Sequence, residues 1–186
     1  MHRKEFFDID LCGKGLRETL PINDLELRKG IKSHLRSMNL AQNLLRNFYE
    51  LGQAEARQLL ILNLSMNQLC SLTEVSLCSN LQFLNLAYNC ISDAAEVNKL
   101  RRLANLQELY LAHNKVNFEF SKDLQDVGGG PSRRNYQAIW PLLEVLDLTA
   151  NRCTDLSQME FLFTAQFVQT SVIRIVALAG NFPNMS

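Results

Sequence analysis

Glu108 and Asp147 fall on segments that read as successive strands, with Glu144 close by, so Glu108 and Asp147 could approach one another. Two such carboxylates are the residue types of acid–base chemistry, but that chemistry needs a concave pocket and ionisations driven apart by their surroundings. An open sheet normally provides neither. The histidines, His2, His34 and His113, stand near no cysteine or carboxylate set at zinc spacing. Neither G-x-S-x-G nor H-E-x-x-H occurs. Gly128–Gly130 before Pro131, and "CGKGL" at 12–16, lack the Gly-Lys-Ser/Thr ending of a phosphate loop. The five cysteines, Cys12, Cys70, Cys78, Cys90 and Cys153, are odd in number and form no close C-x-x-C pair. Free, partly buried thiols in a reducing intracellular compartment are the expectation. The sequence therefore points to no catalytic residues, no cofactor and no metal. The chemistry it does repeat is that of the primary amide, at Asn43, Asn67, Asn89, Asn114, Asn151 and Asn181. An amide carries both donor and acceptor, so a buried one can bridge one turn of chain to the next.

The elements that must position these amides recur along the chain. "LQFLNLAYN", residues 81–89, has the form Leu-x-x-Leu-x-Leu-x-x-Asn. The same slots are filled by Leu59, Leu62, Leu64 and Asn67, by Leu106, Leu109, Leu111 and Asn114, and by Leu143, Leu146, Leu148 and Asn151. Upstream stand Leu35, Met38, Leu40 and Asn43, and downstream Ile173, Val176, Leu178 and Asn181. A degenerate first copy has Phe6, Ile9, Leu11 and Leu16, with Lys14 replacing the asparagine. The copies start at 6, 35, 59, 81, 106, 143 and 173, spaced by 29, 24, 22, 25, 37 and 30 residues. Each copy predicts a short strand with its fourth and sixth residues inward, then a turn whose backbone groups the asparagine satisfies.

With that framework and that asparagine, the chain resembles the leucine-rich repeat family. Spacings near 22 resemble its short intracellular subclass, which includes regulatory subunits of protein phosphatase 1, dynein light chain 1 and the A-prime protein of the U2 small nuclear ribonucleoprotein. The resemblance implies an α/β solenoid of about seven repeats, a curved horseshoe. A parallel β-sheet would form its concave face and short helices or 3₁₀ turns its convex face. Residues 1–186 would form a single domain, with an inserted loop and short helix at 117–142. "SDAAEVNKLRRL", 92–103, suits a return helix with Ser92 or Asp93 as N-cap. A second helix is expected over 23–35, interrupted at Gly30, and a third, strongly apolar, over 155–171. In the insert, Ser132 caps a helix on which Tyr136, Ile139 and Trp140 share a face that packs against the solenoid. The run from Tyr136 to "PLLEVLDL" also resembles the closing segment of several intracellular relatives, including messenger RNA export receptors, but here a repeat and a half follow it.

The concave wall would present the third, fifth and eighth residues of each copy. In the middle copies these include Ile61, Asn63, Met66, Phe83, Asn85, Tyr88, Glu108, Tyr110, His113, Val145 and Asp147. Neighbouring strands lie about 4.8 Å apart, so the aromatic residues form one patch. A contiguous apolar patch on a soluble protein marks an interaction site. Asn39, Asn63 and Asn85 could bond the backbone of a partner peptide or helix. The alternative is that Tyr136 or Trp140 folds over the patch and covers it. Repeat arrays need a polar terminal cap. "IRIVALAGNFPNMS" lacks one, so either the chain is a fragment of a longer protein or a partner or second copy covers the C-terminal edge.

Of the 186 residues 47% are apolar, enough for a core, and the 19 basic residues equal the 19 acidic ones. Neutrality argues against nucleic acid or an anionic membrane as the direct ligand. "MHRKEFFDID" has no secretory h-region, and no run approaches the ~18 apolar residues of a membrane span. The expected function is a non-enzymatic scaffold or adaptor that binds a protein partner, a helix or a peptide, on its concave sheet. The resemblance suggests three settings: the ciliary axoneme or dynein, phosphatase regulation, and RNA processing or export as a ribonucleoprotein subunit. The expected location is cytoplasmic, including cilium and cytoskeleton, with the nucleus as the alternative. An enzyme, or a repeat arm attached to one, is the remaining class.

Overall fold

A computed structural model describes residues 7–17, 35–48, 56–117, 140–153 and 175–181. Seven strands form one parallel sheet in strict chain order: β1 Phe7–Asp10, β2 Leu35–Asn39, β3 Ile61–Asn63, β4 Phe83–Asn85, β5 Glu108–Tyr110, β6 Val145–Asp147 and β7 Ile175–Ala177. The motif copies stack in register: Ser37 pairs with Ile61, Ile61 with Phe83, Phe83 with Glu108 and Glu108 with Val145. Only β1 is irregular, its register to β2 shifting between Phe7 and Asp8. This is the expected solenoid: each repeat hydrogen-bonds only to its neighbours.

The strands are short because only the third to fifth residues pair before the chain turns inward. The fourth and sixth residues, Leu62, Leu84 and Leu109 with Leu64, Leu86 and Leu111, have no solvent exposure. Each such leucine contributes about 1.5–3 kcal/mol by leaving water. The first motif residue and the apolar residue two beyond the asparagine complete the same core, as Leu59, Leu81 and Leu106 with Leu69, Ile91 and Val116. At the last repeat the packing thins: Val176 and Leu178 are half-buried where their counterparts are buried.

The return segments differ from copy to copy. Between β3 and β4 there is a 3₁₀ turn, Val75–Leu77. Between β4 and β5 the expected helix is present as α1, Ala94–Lys99, running into a 3₁₀ turn, Leu100–Arg102. Asp93 caps α1, its carboxylate accepting the Ala95 N–H at 2.7 Å. Glu96 on α1 ties the two return segments together. Its Oε2 accepts from the Leu72 N–H at 2.8 Å and Ser71 Oγ at 3.1 Å, and its Oε1 pairs with Lys99 at 2.6 Å. Burial alone pushes the Glu96 carboxyl up. The hydrogen bonds from Lys99, Leu72 and Ser71, with the Lys99 charge, outweigh it and hold the carboxyl below its ordinary value. The helices expected over 23–35 and 155–171, and the insert apart from Asn117 and residues 140–142, lie outside the described residues.

Candidate functional site

The asparagines form the ladder that the repeat demands. In every copy the amide NH2 donates to the carbonyl of its own sixth residue and to that of the preceding repeat. Asn89 Nδ2 lies 3.0 Å from Leu86 O and 2.9 Å from Leu64 O, and Asn114 Nδ2 lies 3.0 Å from Leu111 O and 2.9 Å from Leu86 O. The amide oxygen accepts an N–H from the preceding turn: Leu45 N–H to Asn67, Leu69 N–H to Asn89, Val116 N–H to Asn151. The ends follow the same rule, with Leu16 N–H on Asn43 and Cys153 N–H on Asn181. All six are buried, so these bonds replace water that the turns cannot reach. A second, shorter run of amides lies one residue before the motif. Asn80 donates to Arg57 O at 2.7 Å, and Asn105 to Ser79 O at 3.3 Å and to Asn80 Oδ1 at 3.2 Å. The sequence carries its signal, an asparagine before Leu81 and again before Leu106, but the repeat reading passed over it.

The third, fifth and eighth residues line the sheet's solvent face. Ile61 is 38% exposed and Met66 and Tyr88 are each 51% exposed. Phe83, Glu108, Tyr110, Val145 and Asp147 are half-buried, and His113 is exposed. The aromatic side chains meet across strands. Phe83 and Tyr110 stand with ring centroids 5.5 Å apart, tilted by 43°. Tyr88 and His113 stack at 4.2 Å with planes 10° apart. The rings thus meet in two cross-strand pairs on this face. Trp140 does not cover it: the indole packs on the core, and its Nε1–H donates to Leu100 O, on the return side, at 2.9 Å. Tyr136 lies outside the described residues.

The fifth residues, Asn39, Asn63 and Asn85, expected to be able to bond a partner backbone, each use the amide oxygen locally. Asn63 Oδ1 accepts from the Ser65 N–H at 3.1 Å and Ser65 Oγ at 2.8 Å; Asn85 Oδ1 accepts from the Ala87 N–H at 3.0 Å. Asn39 accepts from the Ala41 N–H and donates to Asp10 Oδ1. Asp10 and Asp147 make the same turn, to the N–H groups of Cys12 and Thr149. Short polar side chains at this slot hold the start of the turn. Asn63 has thus filled both acceptor sites of its oxygen, while Asn85 has filled one.

The eighth residues carry a feature the sequence reading missed. All seven are left-handed, with φ of +57° at Gln42, +56° at Met66, +57° at Tyr88, +53° at His113, +52° at Ala150, and +67° and +72° at Gly13 and Gly180. The two glycines were the available signal, since only glycine adopts that conformation without steric cost. The left-handed turn lifts the side chains of Met66, Tyr88 and His113 onto the solvent face.

Glu108 and Asp147 are not register partners. The register sets Val145 opposite Glu108 and Tyr110 opposite Asp147. Tyr110 Oη donates to Glu108 Oε2 at 2.8 Å. Burial, that hydrogen bond and the charges of Glu108 and Asp147 hold the phenol above its ordinary value. The cysteines are all outside disulfides, with Cys70 exposed and Cys78 and Cys153 buried. No group of three or more metal-ligating side chains is present among the described residues.

A family model for leucine-rich repeats in two copies matches residues 79–127. Over 84 residues the chain is 40% identical to tubulin-folding cofactor E of Arabidopsis thaliana, covering 45% of this chain and 15% of that protein. Over 113 residues it is 34% identical to the centrosomal protein of 72 kDa of Mus musculus, covering 57% of this chain and 16% of that one. The chain thus matches only a small part of either relative's length. Among solved structures, a leucine-rich repeat protein of Leptospira interrogans superposes with a TM-score of 0.65 at 19% identity, covering 96% of this chain and 44% of that one. Internalin C2 of Listeria monocytogenes superposes with a TM-score of 0.57 at 18% identity, covering 93% and 71%.

Proposed function

Starting from a chain that is a leucine-rich repeat protein, we propose that it is a non-enzymatic adaptor whose concave sheet binds a helix or extended peptide of a protein partner. Proteins of this fold generally mediate protein–protein interaction. The observation that carries the reading is the exposed surface of Ile61, Met66, Phe83, Tyr88, Tyr110 and His113. Its rings are already packed in pairs between the β4 and β5 repeats, Phe83 on Tyr110 and Tyr88 on His113. A preformed surface loses little side-chain freedom on binding, and aromatic residues ringed by polar ones have the composition of binding hot spots. The setting we propose is a microtubule-based one, including the cilium or axoneme. The support is that one relative's name concerns tubulin and the other's the centrosome.

The test is a pull-down from cell extract read by mass spectrometry, with wild type against a Phe83→Asp, Tyr110→Ala double variant. Circular dichroism checks that the variant is folded. Partners captured by wild type and lost by the folded variant, with tubulin or axonemal proteins among them, are the expected result. Unchanged capture moves the binding site off the sheet face. Loss of a set dominated by phosphatase or ribonucleoprotein components keeps the site and overturns the setting.

A further inference from the structure

We propose that the partner segment presents an arginine that seats against Glu108, Tyr110 and Asp147, next to an apolar side chain that covers Phe83 and Tyr88. This rests on the sheet face being the binding surface and specifies the chemistry of its occupant.

The charge of the face sets the sign. The chain as a whole carries 19 basic and 19 acidic residues, yet the third, fifth and eighth positions of the seven copies hold Asp8, Asp10, Glu108 and Asp147 and no lysine or arginine. Arg36, Glu144 and Arg174 stand at second positions, outside this set. An acidic face selects a basic partner and repels an acidic one. The two ends of the face are not equivalent. At the β1 end, Asp8 and Asp10 have no aromatic residue beside them at these positions. At the other end, Glu108 Oε2 accepts from Tyr110 and Asp147 Oδ1 from Thr149. Glu108 Oε1 and Asp147 Oδ2 have no hydrogen bond among the described residues; Glu108 stands two residues before Tyr110 on β5 and Asp147 opposite it on β6.

Two carboxylates adjoining one aromatic ring suit a planar guanidinium. Its five donors lie in a fixed fork that can reach both carboxylates while its face stacks on the ring. A lysine is a point charge on a flexible stem and would satisfy one carboxylate at a time. The Tyr110 phenol stays neutral and keeps its proton on Glu108, which fixes that carboxylate's orientation without adding charge. Phe83, 5.5 Å from Tyr110 by ring centroid, continues into the apolar patch. The arginine and its apolar neighbour therefore land on adjoining parts of one surface.

A random linear-peptide display library panned against the full chain tests this. The expected consensus is arginine beside an aromatic or aliphatic residue. For a synthetic peptide of that consensus, the Glu108→Gln, Asp147→Asn double variant is expected to raise Kd about tenfold. Arg→Gln in the peptide should give a similar loss on wild type and little further loss on the double variant. Both substitutions keep the side-chain size at half-buried positions, and circular dichroism confirms folding. If Phe83→Asp abolishes binding but the carboxylate variants leave Kd unchanged, or the consensus lacks arginine, the cation site is wrong and the sheet-face reading stands. If binding survives Phe83→Asp, the sheet-face reading itself fails. A panning that enriches nothing overturns the proposal in favour of a face covered by this chain's own insert or by a second copy.

Discussion

The imidazole of His113 stacks on the ring of Tyr88 at 4.2 Å, and both residues hold a left-handed backbone, with φ of +53° and +57°. The two facts are linked. Each side chain is raised from the turn after its strand by the same positive φ, so rings at equivalent slots of neighbouring repeats come face to face.

That conformation has a cost that substitutions can expose. A non-glycine residue in the left-handed region is disfavoured by about 1–2 kcal/mol. Gly180, at φ +72°, would place a Cβ 3.4 Å from Ala150 Cα. Gly180→Val is expected to destabilise by about 1–2 kcal/mol, whereas Ala150→Gly should be neutral or stabilising. Urea midpoints for the two variants check this; equal shifts would contradict it.

The asparagine ladder should be the most sensitive part of the fold to a single small change. In Asn89→Ala, Leu64 O and Leu86 O keep bonds from Asn67 and Asn114, but the Leu69 N–H loses its acceptor. A buried orphan donor with its lost bonds costs about 3 kcal/mol. Asn85→Ala, which removes one turn bond at a half-buried site, should cost less than about 1 kcal/mol. Paired urea titrations are the measurement, and a similar shift for both variants would refute the distinction.

Acid should loosen the return segments through Glu96. Its carboxyl is held below its ordinary value in the folded chain. A depressed folded value favours the ionised form, so its contribution to stability is complete above the unfolded value. It is lost as pH falls from about 4.5 through the lower folded value. Glu96→Gln should be less stable than wild type at neutral pH and should lose less stability over that window. Thermal melts at pH 7 and below pH 4 compare the two; parallel pH profiles would rule the mechanism out.

The thiols should divide by burial. Burial first, and then the charge of Glu74, pushes the Cys78 thiol up to about 12. Only the thiolate reacts, so Cys78 should resist a thiol reagent at pH 8 until the chain unfolds, while exposed Cys70 reacts at once. Mass mapping of a brief alkylation reads this directly, and early labelling of Cys78 would place it near solvent.

Much of this was legible in the chain because the repeat is local. Leu62, Leu84 and Leu109 could be assigned to the core, and Asn67, Asn89 and Asn114 to the ladder, from spacing alone, since each copy solves the same problem of a strand followed by a turn. The helix after Asp93 was legible for a similar reason, its cap and helix-forming run lying within a few residues. Register then followed: stacking identical motifs fixes Phe83 beside Ile61 and Glu108 and so puts the aromatic residues on one face.

The sequence by itself determined the solenoid, its inward residues, the buried amides and the composition of the sheet face, because these depend on side-chain type at a fixed period. Tertiary structure alone decided which polar atoms remain open. The oxygens of Asn63 and Asn85 go to their own turns, Asp147 stands opposite Tyr110 by register, and Trp140 turns to Leu100 on the return side. Hydrogen-bond partners are chosen by distance and direction after packing, and a one-dimensional pattern of residue types carries neither.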